Sequence, residues 1–237
     1  MFPMTGQMTG GKKPVEFLAE NSSQQKFGTR QTSSSFSINF GNEAGNNRVL
    51  IFAGGVVTDQ FVGVPSSVTY GGVSVNLEAS GDSIELGGLG LNGSATWLGW
   101  LNESDLPSTS GNKTLAITMT SATGILFGVA VYLFENVDQS SPLTDFQTDT
   151  GGGGTSMDIT FSNGVGQLGV SSYGTRNTST THGTPSSGWV EAQDHYNGGY
   201  GVGSAYSAEL TSDTHTYNGF SSGALSLCMS GALLQEY

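Results

Sequence analysis

The chain has 237 residues, of which 37 are glycine and only 11% are charged, and its formal net charge is −12. Ser, Thr, Asn and Gly supply the missing polarity, which excludes a mainly helical protein, and a 10% aromatic content excludes a disordered one. The acidic balance also disfavours nucleic-acid binding by the body of the protein.

The first predicted element is an extended N-terminal arm, residues 1–32, which begins MFPMTGQMTGGKKP. This start has no periodic apolar pattern and no signal-peptide core, so we expect neither independent folding nor export by that route. Because methionine adapts to irregular apolar surfaces, we expect the arm to contact a partner protein; the alternative is an unattached leader. The expected contact residues are Met1, Phe2, Met4, Met8, Lys12 and Lys13.

Charge is distributed unevenly along the chain. Residues 1–48 carry five Lys or Arg against three Glu, a net charge of +2, whereas residues 49–237 carry two against sixteen acids, a net charge of −14. A weakly basic start therefore precedes a strongly acidic body.

After the arm, short apolar runs alternate with turn clusters, as in an antiparallel β fold. Residues 33–40 alternate in polarity, which places Phe36, Ile38 and Phe40 on one face of a strand. Residues 48–53 form a continuous apolar run, which predicts a strand buried on both faces.

The clearest local signal is a hairpin at residues 67–76, where two alternating runs flank Gly71 and Gly72. Two glycines suit a tight turn because both central positions need a positive φ. Further strands are expected at residues 96–101, 115–119, 125–134, 157–161, 168–173, 189–195 and 225–234.

These strands predict an all-β fold. The runs at 125–134 and 225–234 are long enough for helices, but their glycines and β-branched residues favour strands. We predict an antiparallel, jelly-roll-like β-sandwich of about eight to twelve strands. The Gly-rich run at 151–154 is the one candidate domain break, and we interpret it as a loop inside a single domain spanning residues 33–237.

Four segments, taken in order, resemble a β-sandwich domain that recurs in phage and prophage structural proteins and in bacterial surface proteins. They are NRVLIFAGG (47–55), SSVTYGGVSV (66–75), FGVAVYLFENVDQSSPL (127–143) and the apolar segment 224–234. The resemblance spans most of residues 35–237 and implies a sandwich exposed on virions or cell surfaces. It implies no conserved active site, and the arm lies outside it as an attachment device of this protein's own.

Motifs for catalysis or cofactor binding are weak. A G-x-G-x-x-G match at residues 88–93 precedes a predicted strand, whereas a dinucleotide site needs a helix there. His182, His195 and His215 lack metal-ligand spacing, so we expect exposed or hydrogen-bonded loop positions, and Cys228 is expected to be a buried, inert thiol. We predict a non-enzymatic protein with no catalytic residue, no metal site and no cofactor.

Aromatic residues in a polar, Gly-rich region form the strongest candidate for a ligand site. Many β-sandwiches bind sugars by packing rings on sugar C–H groups while amides and carboxylates bind the hydroxyls. The alternative is that these rings fill the core or cover its rim. The candidates are Trp189, Tyr196, Tyr200, Tyr206 and Tyr217. Trp97 and Trp100, three residues apart, must face opposite sides of a strand, so one of them is expected in the core.

Together these features favour a non-enzymatic virion structural protein of a bacteriophage: a capsid decoration or cement protein, or a fibre-associated subunit, anchored by its arm. We expect synthesis in the host cytoplasm and assembly on the virion surface, with a capsid or other virion protein as partner and a homo-oligomer on the particle. We expect neither nucleic-acid binding nor membrane insertion. The alternative hypothesis is a carbohydrate-binding adhesion module that attaches to host polysaccharide.

Overall fold

A computed structural model describes residues 13–40, 45–59, 63–87, 90–107, 111–119, 124–151, 154–162, 164–177, 183–207, 209–220 and 224–237. Within these ranges the regular structure is seventeen β-strands and one short 3-10 turn, Glu103–Asp105. The predicted all-β, antiparallel sandwich class is confirmed. The number of strands exceeds the expected eight to twelve, and the reason lies in the topology.

Nine strands build the first half of the chain, which we call unit 1. They are β1 (Glu16–Gln31), β2 (Ser33–Phe40), β3 (Val49–Thr58), β4 (Ser67–Tyr70), β5 (Val73–Ser74), β6 (Asn76–Gly87), β7 (Gly90–Asn102), β8 (Gly111–Thr118) and β9 (Gly124–Glu135). Sheet 1 has the order β1-β9-β3-β7-β6, and sheet 2 has the order β2-β8-β4-β5. The two sheets pack on a core that includes Phe52, Trp97, Leu115 and Phe127.

Eight strands build the second half, which we call unit 2. They are β10 (Leu143–Gly151), β11 (Ser156–Thr160), β12 (Gly169–Asn177), β13 (Thr184–Pro185), β14 (Val190–Tyr196), β15 (Tyr200–Ser207), β16 (Thr214–Asn218) and β17 (Ala224–Leu234). Sheet 3 has the order β10-β17-β12-β15-β14, and sheet 4 has the order β11-β16-β13. Their core includes Ile159, Tyr173, Tyr217 and Met229.

The two units share one topology. Taken in order and leaving out the two-residue β5, the strands of unit 1 map onto β10 to β17, and the orders of sheets 1 and 2 become those of sheets 3 and 4. The chain therefore holds two such sandwiches where the sequence predicted one, and their grouping into a single domain stays a prediction. The boundary lies between Glu135 and Leu143. In the Gly-rich run 151–154, Gly151 ends β10 of unit 2, and residues 152 and 153 lie outside the described residues.

Sheets 1 and 3 pack face to face, so both are buried between other sheets in a four-layer stack. β3 lies on β12, β7 on β17, β9 on β15, β1 on β14 and β6 on β10. If each strand is replaced by its equivalent in the other unit, the β7–β17 contact becomes the β15–β9 contact and the β1–β14 contact becomes the β10–β6 contact, while β3–β12 is unchanged. This is the pattern of an isologous two-fold interface. The chain is therefore built like a dimer joined covalently by residues 136–142.

Contacts between the units show that β15 runs antiparallel to β1. Because β7, the equivalent of β15, is also antiparallel to β1, equivalent strands of the two units run in the same direction. Phe17, near the start of β1, stacks on Tyr206 at 4.3 Å between ring centroids, near the end of β15. Lys26, further along β1, donates to the carbonyl of Asn197 at 2.8 Å, just before β15 begins. The pseudo-two-fold axis is thus parallel to the strands, between β3 and β12.

This axis gives the molecule two different ends. At one end, here called the loop end, β1, β3, β6 and β8 of unit 1 finish and β2, β4, β7 and β9 begin, and the equivalent strands of unit 2 do the same. The opposite end, here called the terminal end, holds residues 13–15, the segment 136–142 between the units and residues 235–237.

A valine from unit 2 enters a gap in sheet 1. A Cβ atom added to Gly128 would lie 2.3 Å from Val202 Cγ2, and one added to Gly55 would lie 3.0 Å from Val202 Cγ1. Val202 is fully buried there and packs with Val57 and Leu126. Both glycines are therefore required by the close approach of the two sheets.

Hydroxyl groups also join the units nearer the loop end. Ser94 Oγ lies 2.7 Å from Ser226 Oγ. Thr96 Oγ1 lies 2.6 Å from Ser230 Oγ and 3.1 Å from the sulfur of Cys228, which is buried as expected. These bonds satisfy polar groups that would otherwise be costly to bury between two sheets.

The predicted boundary between arm and domain was placed too late in the chain. β1 pairs antiparallel with β9 from Glu16 opposite Glu135 to Gln31 opposite Gly124, so residues 16–31 belong to the sandwich and not to an arm. β1 is an edge strand with many exposed side chains. Such a strand needs few apolar residues, which explains its weak signal in the sequence.

Several local predictions are confirmed. β2 buries every second residue, including Phe36 and Ile38, and β3 is buried along its whole length. The hairpin β4–β5 turns through Gly71 (φ 59°) and Gly72 (φ 86°). Trp97 is 1% exposed in the core of unit 1, while Trp100 packs on the other face, against the core between the units.

Candidate functional site

Residues near both described chain ends meet at Asn136, in the segment between the units. Its Nδ2 donates to the carbonyl of Pro14 at 3.1 Å, and its own carbonyl accepts from the N–H of Tyr237 at 3.0 Å. Asn136 adopts a left-handed φ of 59° and is 6% exposed. A shallow cavity of about 400 Å³ lies beside this junction, lined in part by Pro14 and Leu234.

The rest of the segment is held by side-chain bonds. Asp138 Oδ1 accepts from the N–H and hydroxyl of Ser140 at 2.7 and 2.6 Å and from the N–H of Ser141 at 2.9 Å, an Asx-type turn. Gln139 Oε1 accepts from the N–H of Glu103 at 2.8 Å. The two units are therefore joined by an ordered connection, and the terminal end is a fixed structure.

We expect Asn136 to stabilise this end in two separable ways. Asn136→Gly keeps the left-handed backbone but loses the bond to Pro14, so the free energy of unfolding should fall by about 1 kcal/mol. Asn136→Ala loses the bond and strains the backbone as well, so the fall should be about 2 kcal/mol. Urea unfolding of both variants checks this. Equal losses in the two variants would contradict the role of the backbone.

Of the predicted arm residues, only Lys13 falls within the described part of the chain, where it is exposed. Met1, Phe2, Met4, Met8 and Lys12 lie outside the described residues. The arm is attached at the terminal end, next to Pro14. Its predicted contacts with a partner protein stay a prediction.

The five aromatic candidates do not form one surface. Tyr217 is 0% exposed, and Trp189 lies in the same core of unit 2 at 9%. Tyr206 is half-buried between the units at the terminal end, stacked on Phe17. The alternative interpretation, that rings fill the core or its rim, therefore describes Trp189, Tyr206 and Tyr217. The two rings at the loop end are Tyr196 and Tyr200, both half-buried.

His215 differs from its expected loop position, because it lies on β16 in the core of unit 2 with 0% exposure. Its Nε2 lies 3.0 Å from Ser171 Oγ and its Nδ1 lies 3.0 Å from Ser186 Oγ. The ring stacks on Trp189 at 3.6 Å between centroids. Burial lowers the pKa of His215 to about 3.

This histidine has the partners of a nucleophile–base pair but not the access. Ser171, like His215, is 0% exposed, and its hydroxyl also bonds the Tyr217 hydroxyl at 3.0 Å. Burial raises the pKa of Tyr217 well above its ordinary value. The cluster is therefore a neutral, hydrogen-bonded part of the core. His195 lies on β14, and His182 lies outside the described residues.

Tyr200 is the centre of a second polar cluster, at the loop end where β1 meets the β14–β15 turn. The Cζ atom of Arg176 lies 4.4 Å from the centroid of the Tyr200 ring, and Lys26 Nζ lies 5.2 Å from it. Arg30 donates through Nε to Asp59 at 2.7 Å. Burial is the main cause that raises the pKa of Tyr200, and the charges of Arg176, Asp59 and Arg30 all act on its hydroxyl.

Among the residues that the structure describes, no three His, Cys, Asp or Glu side chains lie together as metal ligands would. In the same residues, no helix has the length and apolar character needed to cross a bilayer.

Comparisons with known proteins add little. No family model matches the chain, and none of the curated proteins matches it. Among solved structures, the X-ray structure of Melon necrotic spot virus is similar over 91% of this chain and 97% of that chain, with 6% identity and a TM-score of 0.27. Similarity at this level carries no argument about function. The resemblance to phage and bacterial surface domains stays a prediction.

Proposed function

We propose that this chain is a non-enzymatic virion structural protein, anchored at its terminal end and presenting its loop end outward. One observation carries the proposal: the arm is attached at Pro14, beside Asn136 and Tyr237, at the end opposite the loop end. An anchor at the terminal end leaves the loop end of both units clear of the particle. The four-layer core between these ends is a rigid spacer, because its interior is densely packed.

More specifically, the protein is a capsid decoration or cement protein, or a fibre-associated subunit, of a bacteriophage. Its partner is a capsid or other virion protein, and several copies assemble on the surface of each particle after synthesis in the host cytoplasm. Binding through the arm stabilises the particle by mass action on the assembled subunits.

Deletion of residues 2–12 is the test of anchoring. We expect the shortened chain to keep the melting temperature of the full chain, because the sandwich starts at Glu16, and to be absent from purified particles. The measurement is an immunoblot of particles produced with the deleted gene in place of the original.

Two full-length variants refine this test. Replacing Phe2, Met4 and Met8 by serine should reduce incorporation at least about tenfold if apolar contacts hold the arm. Replacing Lys12 and Lys13 by glutamine should have a smaller effect, because exposed charge pairs contribute little. Normal incorporation of the chain that lacks residues 2–12 would overturn the proposal.

A second candidate function is attachment to host polysaccharide. It is favoured by the half-buried rings of Tyr196 and Tyr200 at the loop end, beside positive side chains. The two functions are compatible, because they use opposite ends of the molecule.

A further inference from the structure

We propose that the loop end binds an acidic polysaccharide at a site formed by Tyr200 with Lys26, Arg30 and Arg176, where the two units meet. This inference deepens the second candidate function and rests on it. It does not depend on whether the chain joins a particle.

Positive side chains are concentrated in this cluster. The whole chain has seven Lys and Arg residues, and three of them lie in this cluster. Arg176 is the one Lys or Arg in residues 143–237. Unit 2 therefore places its single permanent cation beside two cations of unit 1, in a protein whose net charge is −12.

Hydrogen bonds hold the cations of the cluster in fixed positions. Lys26 Nζ donates to the carbonyl and to Oδ1 of Asn197 at 2.8 and 3.0 Å. Arg176 donates to the carbonyl of Gly199 at 2.8 Å. The turn between β14 and β15 thus fixes cations from both units against the Tyr200 ring before any ligand arrives, which lowers the entropy lost on binding.

The cations held around Tyr200 repel one another. Asp59 pairs with Arg30, whereas Lys26 donates to the Asn197 oxygens and Arg176 to the carbonyl of Gly199. Like charges repel one another, and a cation–π contact at an exposed site is weak. A neutral side chain would join the units at a lower electrostatic cost. An anionic ligand would turn this repulsion into attraction.

The chemistry of the cluster indicates the class of ligand. Guanidinium and ammonium groups bind carboxylates and sulfates through charge-assisted hydrogen bonds. An aromatic ring next to them packs on sugar C–H groups. Lys26 and Arg30 are exposed and Tyr200 is half-buried, so the cluster lies open at the surface. A polymer of acidic sugars offers several anions at the spacing of successive residues and matches a patch that spans both units.

The experiment uses the purified full chain and measures binding to immobilised polygalacturonate and chondroitin sulfate, with dextran as the neutral glycan and polyphosphate as the polyanion without sugar. Measurements at about 0.15 M salt screen long-range repulsion from the acidic body beyond roughly 8 Å. We expect binding to one or both acidic glycans and at least about tenfold weaker binding to dextran and polyphosphate.

Variants assign this binding to the cluster. Lys26→Gln and Arg176→Gln should each weaken acidic-glycan binding at least about fivefold, because each removes a charge-assisted hydrogen bond. Lys13→Gln is the matched control for glycan binding, since it removes the same charge from an exposed position at the terminal end and should leave binding to every glycan unchanged. Thermal unfolding of each variant separates loss of binding from loss of structure.

Other results would overturn the inference in distinct ways. Equal binding to polyphosphate and to acidic glycans would show attraction to polyanions in general, with no sugar recognition. Binding to dextran that Lys26→Gln and Arg176→Gln leave unchanged would retain the attachment function but refute this site. No binding to any glycan would refute both, while the anchoring proposal would still depend on incorporation of the chain that lacks residues 2–12.

Discussion

Replacing Gly128 by alanine is expected to lower the free energy of unfolding by about 3 kcal/mol, because overpacking between two rigid sheets leaves no room for adjustment. The added Cβ would lie 2.3 Å from Val202 Cγ2 and 3.2 Å from Val202 Cβ. Val202 is β-branched and fully buried, so its stiff side chain is closely confined. Chemical denaturation followed by intrinsic fluorescence measures the loss.

A double-mutant cycle shows whether the two units meet at this contact. Val202→Ala alone should cost about 2 kcal/mol through the cavity it leaves. The double variant should be more stable than the sum of the single effects by more than about 1 kcal/mol, because removing the methyl groups makes room for the new Cβ. Strict additivity would contradict the packing of Val202 against Gly128.

Gly28 offers a matched control in the same sheet. A Cβ added to Gly28, on β1, meets no atom within 4 Å. Gly28→Ala should therefore change stability by less than about 0.5 kcal/mol or increase it slightly through the unfolded state. If Gly28→Ala and Gly128→Ala proved equally destabilising, the loss would arise from the backbone of the strand and not from the interface.

Acid is expected to destabilise the protein through His215. Unfolding exposes the ring, which then binds a proton near pH 6.5, whereas burial holds its pKa in the folded state at about 3. The stability that depends on neutral His215 is therefore complete above pH 6.5 and is lost progressively as the pH falls toward 3. Over that window the loss from this one residue is about 4 kcal/mol.

His215→Gln isolates this effect, because glutamine can keep hydrogen bonds to Ser171 and Ser186 but has no proton to gain. We expect the variant to be less stable than the wild type at pH 7, through loss of the stack on Trp189, and to lose less stability between pH 6.5 and 4. Parallel pH curves for wild type and His215→Gln would show that His215 does not carry the acid sensitivity.

The sequence predicted the strands that show their burial in the pattern of neighbouring residues. β2 alternates because one face is buried, β3 and β9 are continuous apolar runs because sheet 1 is covered on both sides, and Gly71-Gly72 marks a turn. These signals depend only on neighbouring residues. They hold whichever other strands lie against them.

Three features escaped prediction because they depend on distant residues. β1 is a polar edge strand, so its pairing with β9 leaves little trace in its own composition. The duplication is one of strand order and burial, with no repeated motif to reveal it. His215 is surrounded by polar residues in the chain, and only the fold brings Ser171, Ser186 and Trp189 around it.

The predicted glycan-binding residues also divide into those that depend on local sequence and those that depend on the fold. Aromatic rings in a Gly-rich polar stretch indicate either a ligand site or a covered rim, but the sequence does not show which of the five rings are buried. The fold buries Trp189 and Tyr217, covers Tyr206, and leaves Tyr196 and Tyr200 at the loop end. The cations beside Tyr200 come from β1 and β12, which no local pattern connects to it.

Covalent fusion of two like halves also changes how this protein can evolve. In a dimer of separate identical subunits, every mutation appears twice, so the seam between β1 and β14 and the seam between β6 and β10 would have to change together. Within one chain each seam mutates independently, and the tether of residues 136–142 keeps the halves together at a high effective concentration whatever the packing of either seam. One flank can therefore acquire a recognition role while the other preserves assembly.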